Sequence, residues 1–319
     1  MGFCAVFRAN GLKDVMALEQ KQNVTRGEIA LTYIALLVLS FTALSVGFYS
    51  WIFSVFIPVL LSYTLVRAGV KHTILQSGLF VLFFSLVRGC FFEPVLTPLF
   101  AGITVGVCVR KRKSLLYTVS LTTLMILTAE IILYFSDAFR ADSQLLFAQN
   151  LTSQSSQIIT QLGLGTKESA MLMEMFRIYT PAVLLLSLAA SAYGVVFFLR
   201  MALYKKAPEL SACYPRFRDL QVSRGCLIAW VLAWIFGLFT EGVFSVTMAN
   251  LAVVLSSYII VCGFAVVLFW ILRVRSALFR MLLCLVLFWL FSFVTPIAFA
   301  LGVLDMSFHF RTRKRGDKK

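Results

Sequence analysis

From residue 29 to residue 66 the chain carries no Asp, Glu, Lys, Arg or His. A bilayer core takes about 20 apolar residues per helix, so a run of this length predicts two spans joined by a tight turn. Similar stretches recur, and the pattern predicts spans at 29–48, 51–66, 73–87, 95–109, 115–135, 180–199, 226–240, 251–272 and 277–304. Phe and Leu fill them without the polar–apolar alternation of a membrane β-strand. The fold class is all-α, a polytopic transmembrane helical bundle of about eight to ten spans. The weakest segment is 73–87, which is short and follows Lys71 and His72.

The connection 137–178 is too long for bare loop. Leu146, Leu151, Ile158, Ile159 and Leu162 recur at roughly helical intervals among Gln and Ser, and Gly163 and Gly165 then punctuate the pattern. Thr166-Lys-Glu-Ser169 opens a second helix toward Pro181. The segment reads as an amphipathic helical hairpin on the extracytoplasmic side.

Composition sharpens the class. Only 13% of the 319 residues are charged while 60% are hydrophobic, against about 25% charged in a soluble domain. The net charge is +15, but its distribution says more than its sum. Basic residues gather in the N-terminal tail (Arg8, Lys13, Lys21, Arg26), at Arg67 and Lys71, at 110–113, across 200–224, and at Arg273, Arg275 and Arg280. These segments alternate as a cytoplasmic N-terminus requires, whereas 137–178 balances acid against base and falls outside. No soluble basic face exists to bind nucleic acid. The first 28 residues lack the apolar core of a cleavable signal and are expected to be a cytoplasmic segment.

One conflict concerns the end of the chain. Nine spans would put the tail 311–319 outside, yet it has six basic residues. The run through 277–308 is long, and Pro296 disfavours a straight helix. A hairpin turning near 292–296, with the tail cytoplasmic, resolves the conflict. The expected layout is a cytoplasmic segment 1–28, a six-span core 29–200, a basic cytoplasmic loop 201–225, membrane helices 226–308 and a basic tail 309–319.

Ionisable groups inside spans are expensive and need a reason. Glu130 is the clearest, in the span 115–135 toward its outer end. It either contacts a solute, cation or proton, or snorkels and pairs with a neighbouring helix. Arg88 and Glu93 flank a turn between spans, as an interfacial pair or as a polar binding mouth. Asn250 and Tyr258 lie eight residues apart, about two helical turns, and so share a face. They serve either a ligand or helix–helix hydrogen bonding. Gly102 and Gly106 form a GxxxG, and Gly194 closes a small-residue stretch; both suit close helix packing. Asp305 and Arg311 end the last run as an ion pair or helix-end contact at the cytoplasmic interface.

Several chemistries lack support. The seven cysteines form no CxxC or Cys/His cluster, and the two histidines, His72 and His309, lie far apart. No nucleotide-binding, zinc-protease or nucleophile-elbow motif is present. No metal, cofactor or catalytic residue is therefore assigned, and an enzyme is not expected.

The stretch Met248-Ala-Asn-Leu-Ala, then Tyr258, Gly263-Phe-Ala-Val-Val267 and the closing Leu301-Gly-Val-Leu-Asp305 with Phe310-Arg311 resembles the YybS-like family of bacterial membrane proteins. The region 163–200 and the Gly102/Gly106 span resemble it too. The resemblance implies a first six-span unit similar to the substrate-binding subunits of energy-coupling-factor transporters and to MreD-like cell-shape proteins. The first span lacks the AxxxA pattern by which those subunits dock to their coupling protein, which leaves that coupling unsupported. Two functions follow as expectations. The first is a solute-binding, transport-related component of the bacterial inner membrane, with Glu130, Arg88, Glu93, Asn250 and Tyr258 as contacts and a separate protein partner. The second is a scaffold that recruits cell-envelope or signalling proteins through its basic cytoplasmic surface.

Overall fold

The computed structural model describes residues 26–45, 50–88, 93–138, 166–212, 214–215, 217–221, 223–308 and 311. Its α-helices are α1 (Arg26–Ser45), α2 (Ser50–Arg67), α3 (Val70–Arg88), α4 (Glu93–Arg110), α5 (Leu115–Ala138), α6 (Thr166–Leu203), α7 (Pro208–Ala212), α8 (Arg224–Phe239), α9 (Gly242–Ile271), α10 (Ala277–Trp289) and α11 (Phe291–Phe308). A 3-10 turn spans Phe217–Asp219, and no strand occurs among the described residues. Among the described residues, four segments are long and apolar enough to cross a membrane: Leu115–Leu133, Met173–Leu203, Gly242–Ile271 and Phe291–Phe308. Six more apolar helical stretches are shorter.

The all-helical expectation holds, with two differences of detail. The helix opening at Thr166 and the span 180–199 form one element, the 38-residue α6, which passes through Pro181 without ending. A proline removes one backbone donor and ordinarily breaks a helix, but membrane helices tolerate it where neighbours satisfy the freed groups. Of the expected extracytoplasmic hairpin, the stretch 139–165 lies outside the described residues.

The second difference lies at the C-terminal end. The run 277–304 breaks at Leu290 (φ −94°, ψ 20°), ahead of the expected 292–296, and Pro296 sits inside α11. Phe291 stacks on Phe264 at 5.1 Å between ring centroids. Gly263 faces Ala298 and Gly302 faces Ile259. Matching rising with falling numbers, α11 runs antiparallel to α9.

The chain divides into two compact units. Met1–Leu133 with Ser191–Cys213 forms the first, and Tyr134–Ala190 with Tyr214–Lys319 the second. In the first, α2 packs along α4, with α1 and α3 beside α2. Leu36, Ile57, Leu61, Phe80, Phe84 and Val95 form its apolar core. In the second, α9 is the central helix, packed by α8 and α11. Ile259, Cys262 and Met306 meet there, covered by Leu227, Trp230, Phe299 and Val303.

Beside these apolar cores, polar side chains are buried and large apolar ones are exposed. Ser62, Gln76, Thr118 and Thr122 are fully buried, while Leu116, Leu238, Phe239 and Val243 are more than two-thirds exposed. Water would penalise so much apolar surface, whereas lipid accepts it. Buried hydroxyls serve as interhelical glue in that setting.

Candidate functional site

Glu130 lies two-thirds of the way along α5 and stays exposed. Its Oε1 accepts a hydrogen bond from the Thr97 hydroxyl of α4, at 2.9 Å. Among the described residues no basic side chain pairs with it. A carboxylate within a span, held by one neutral donor and open on its other oxygen, can receive a proton, a cation or a donor group. The side chains of Arg88 and Glu93, at the end of α3 and the start of α4, lie outside the described residues.

Asn250 belongs to the second unit and its amide is engaged within the protein. Its Oδ1 accepts from the Ala182 backbone N–H at 3.0 Å, and its Nδ2 donates to Ile178 O at 2.7 Å and to Val246 O at 2.8 Å. Both amide hydrogens are thereby used, so of the two readings of Asn250 the contacts match the helix-bridging one. Tyr258 shares α9 and is half-buried. The nearby polar contact is instead Trp230 Nε1 donating to Ser256 Oγ at 2.7 Å.

Asp305 and Arg311 pair, and the protein buries both side chains. Arg311 Nη2 and Nε donate to Asp305 Oδ2 at 2.5 and 3.0 Å, and the side chains are only 5% and 4% exposed. Arg311 also donates to the carbonyls of Arg218 (2.7 Å) and Leu220 (2.6 Å). The guanidinium fork thus ties the end of α11 to the connection preceding α8. Arg224 adds a bond to Ser307 O at 3.0 Å. Asp305 Oδ1 is buried without a partner among the described residues.

The glycines separate into tight and loose. A Cβ on Gly102 would lie 2.9 Å from Leu61 Cβ and 3.0 Å from Pro58 O, and one on Gly106 would lie 2.8 Å from Leu65 Cδ2. Both therefore set the approach of α4 to α2, where Ser62 Oγ also donates to Gly102 O at 2.8 Å. Gly194 meets only Val55 Cγ1 at an ordinary 3.5 Å. The closest approach is one that sequence reasoning missed. A Cβ at Gly263 would fall 1.6 Å from Ala298 O, and one at Gly302 would fall 2.2 Å from Ile259 O. Ala298 and Gly302 form a small-xxx-small pair, which was the available signal.

Also missed was an ion cluster in the first unit. Glu28, in the first turn of α1, pairs with Lys206 and with Arg67 Nη2 at 3.5 Å, and Arg67 Nη1 donates to Lys206 O at 3.3 Å. The hydrogen bond from Lys206 holds the Glu28 carboxyl below its usual range, and the same bond raises Lys206. Within the bundle, the fully buried Gln76 donates to Thr32 O at 3.3 Å, while its Oε1 has no partner among the described residues.

Apolar helices, extensive exposed apolar surface and buried hydroxyls mark a multi-helical membrane protein. A match over residues 33–306 to the family described as predicted membrane protein DUF2232 agrees with this. The chain belongs to that family. No curated protein and no solved structure matches it.

Proposed function

We propose that the protein is a solute-binding, transport-related component of the bacterial inner membrane, with its N-terminus cytoplasmic, as its resemblance to YybS-like proteins also suggests. The observation that carries this reading is Glu130, an exposed carboxylate in an apolar helix whose described partner is the Thr97 hydroxyl. Keeping such a group in a span costs energy on the order of 2.5–3.5 kcal/mol for Asp at the helix centre on insertion scales, which marks it for function. The chemistry it offers suits a cationic or proton-bearing solute. With no nucleotide-binding motif of its own, such a component works with a separate energised partner.

The test is Glu130→Gln in cells that depend on the protein. The amide keeps the size and the hydrogen bond to Thr97 but removes the charge. Loss of function at unchanged abundance supports the reading, and full function sinks it.

A second reading, a scaffold for envelope or signalling proteins, is favoured by one observation. Arg311 bonds the carbonyls of Arg218 and Leu220, which sets the start of the basic tail beside the basic connection. Replacing Arg313, Lys314, Arg315, Lys318 and Lys319 with Gln, with Arg311 retained, separates the two. Loss of function in that variant, with Glu130→Gln active, selects the scaffold.

A further inference from the structure

We propose that Asn250 partners the backbone of α6 beside Pro181, making this turn a hinge whose bend is set from α9. The evidence is atomic. In an uninterrupted helix the N–H of Ala182 bonds the carbonyl of Ile178, four residues earlier. Here those two groups are the ones that the Asn250 amide engages, its oxygen taking the Ala182 N–H and its nitrogen giving to the Ile178 carbonyl. A side-chain amide has the donor and acceptor of a peptide group, so it inserts into a backbone pair as a surrogate peptide.

Pro181 explains why the pair needs a surrogate. It has no N–H for the carbonyl of Arg177, and its ring crowds that carbonyl, which opens the turn on its N-terminal side. The hydroxyl of Thr180 turns back to Phe176 O at 2.5 Å, a type of bond that itself bends helices. The Asn250 amide is held in place by its bond to Val246 O on its own helix. Inserted side chains and prolines are two identified causes of helix kinks, and both meet at this turn.

The consequence is mechanical. Ala182 is 2% exposed, so water cannot stand in for the amide without rearrangement. While Asn250 is engaged the turn stays open and bent. If α9 withdraws, Pro181 still keeps the turn from closing, so the two groups lose their partner and the bend of α6 is no longer fixed there. A shift of α9 is thereby converted into a change of bend in α6. This holds whatever solute or partner the protein handles.

The test uses the full chain in phosphatidylethanolamine–phosphatidylglycerol nanodiscs, with Asn250→Leu, Pro181→Ala and the double variant. Hydrogen exchange reports the amides at 182–184. Double electron–electron resonance between labels at Met171 and Leu184, two exposed α6 positions flanking Pro181, reports the bend in a background without native cysteines. Asn250→Leu is expected to speed Ala182 exchange roughly tenfold, about the worth of one hydrogen bond, and to shift or broaden the distance distribution. With Ala at position 181 the helix closes its own pair, so adding Asn250→Leu changes neither readout. Equal effects of Asn250→Leu with and without Pro181 overturn the proposal, because Asn250 is then an ordinary packing contact. No effect in either background overturns it as well. Should Pro181→Ala fail to fold, Asn250→Gln replaces it. One added methylene moves the amide out of register, so protection at Ala182 must fall although hydrogen-bonding capacity is retained, and unchanged protection refutes the insertion.

Discussion

Arg311→Met tests whether the buried pair at the end of α11 is the fastening described. The arginine is almost fully buried and makes four hydrogen bonds: two to Asp305 Oδ2 and one each to the carbonyls of Arg218 and Leu220. Methionine keeps the apolar stem and removes all four. The Asp305 carboxylate, 4% exposed, is then left without its counter-charge. Breaking one side of a buried pair costs about 3–5 kcal/mol. Two carbonyls losing their donor add roughly 1 kcal/mol, allowing for partial exposure. Unfolding of the purified chain in mixed micelles, followed by denaturant titration, reads this directly. At about 2–4 °C per kcal/mol for a chain somewhat smaller than this one, the melting midpoint should fall by roughly 10 °C. Asp305→Asn alone leaves a buried guanidinium and should cost a comparable few kcal/mol by the same principle. The double variant should recover part of the loss, with a coupling energy of about 2 kcal/mol. Additive singles, or a single-variant loss within about 0.5 kcal/mol as for ordinary surface positions, would refute the fastening.

At the α9–α11 crossing, Gly302→Val should separate the helices and destabilise by about 1–3 kcal/mol or more, since its Cβ would sit 2.2 Å from a backbone oxygen; a wild-type melting curve would contradict the packing. Gly106→Leu should weaken the first unit by a similar amount on the same principle, whereas Gly194→Ala, whose methyl meets only Val55 Cγ1 at an ordinary 3.5 Å, should be neutral or stabilise by up to about 1 kcal/mol through helix propensity. The Glu28–Lys206 pair should be pH-insensitive through the neutral range. Because Glu28 titrates below its usual value and Lys206 above its own, the stability gained from Glu28 is lost as pH falls below the ordinary carboxylate range, and that from Lys206 as pH rises above the ordinary lysine range. Melting scans of wild type and Glu28→Gln should converge at the acidic end, and a constant difference at all pH values would contradict the pairing.

Much of the architecture is written locally and can be read there. Uncharged runs of 15 or more residues specify apolar helices, and the basic clusters between them mark helix ends. Gly102 and Gly106 are legible because a GxxxG puts both on one face. Asp305 and Arg311 are close enough in sequence for pairing to be expected. Their burial is not legible, because it depends on carbonyls more than 90 residues away. The same holds for Glu28 and Lys206, separated by 178 residues. Pro181 misleads by its ordinary meaning. Its local rule predicts a helix boundary, yet the helix continues, and Asn250, 68 residues on from Ala182, engages the Ala182 N–H and the Ile178 carbonyl beside it. Gly263 and Gly302 are individually unremarkable in apolar runs, and only the antiparallel register of α9 and α11 shows what each one faces.

Glu130 is proposed to hold a small solute. Native mass spectrometry of the protein, taken gently from its own membrane at native abundance, tests it most directly. The account predicts a bound small molecule that disappears in Glu130→Gln while the protein stays folded. A ligand-free chain in stoichiometric complex with a protein, unchanged by Glu130→Gln, would contradict it and select the scaffold.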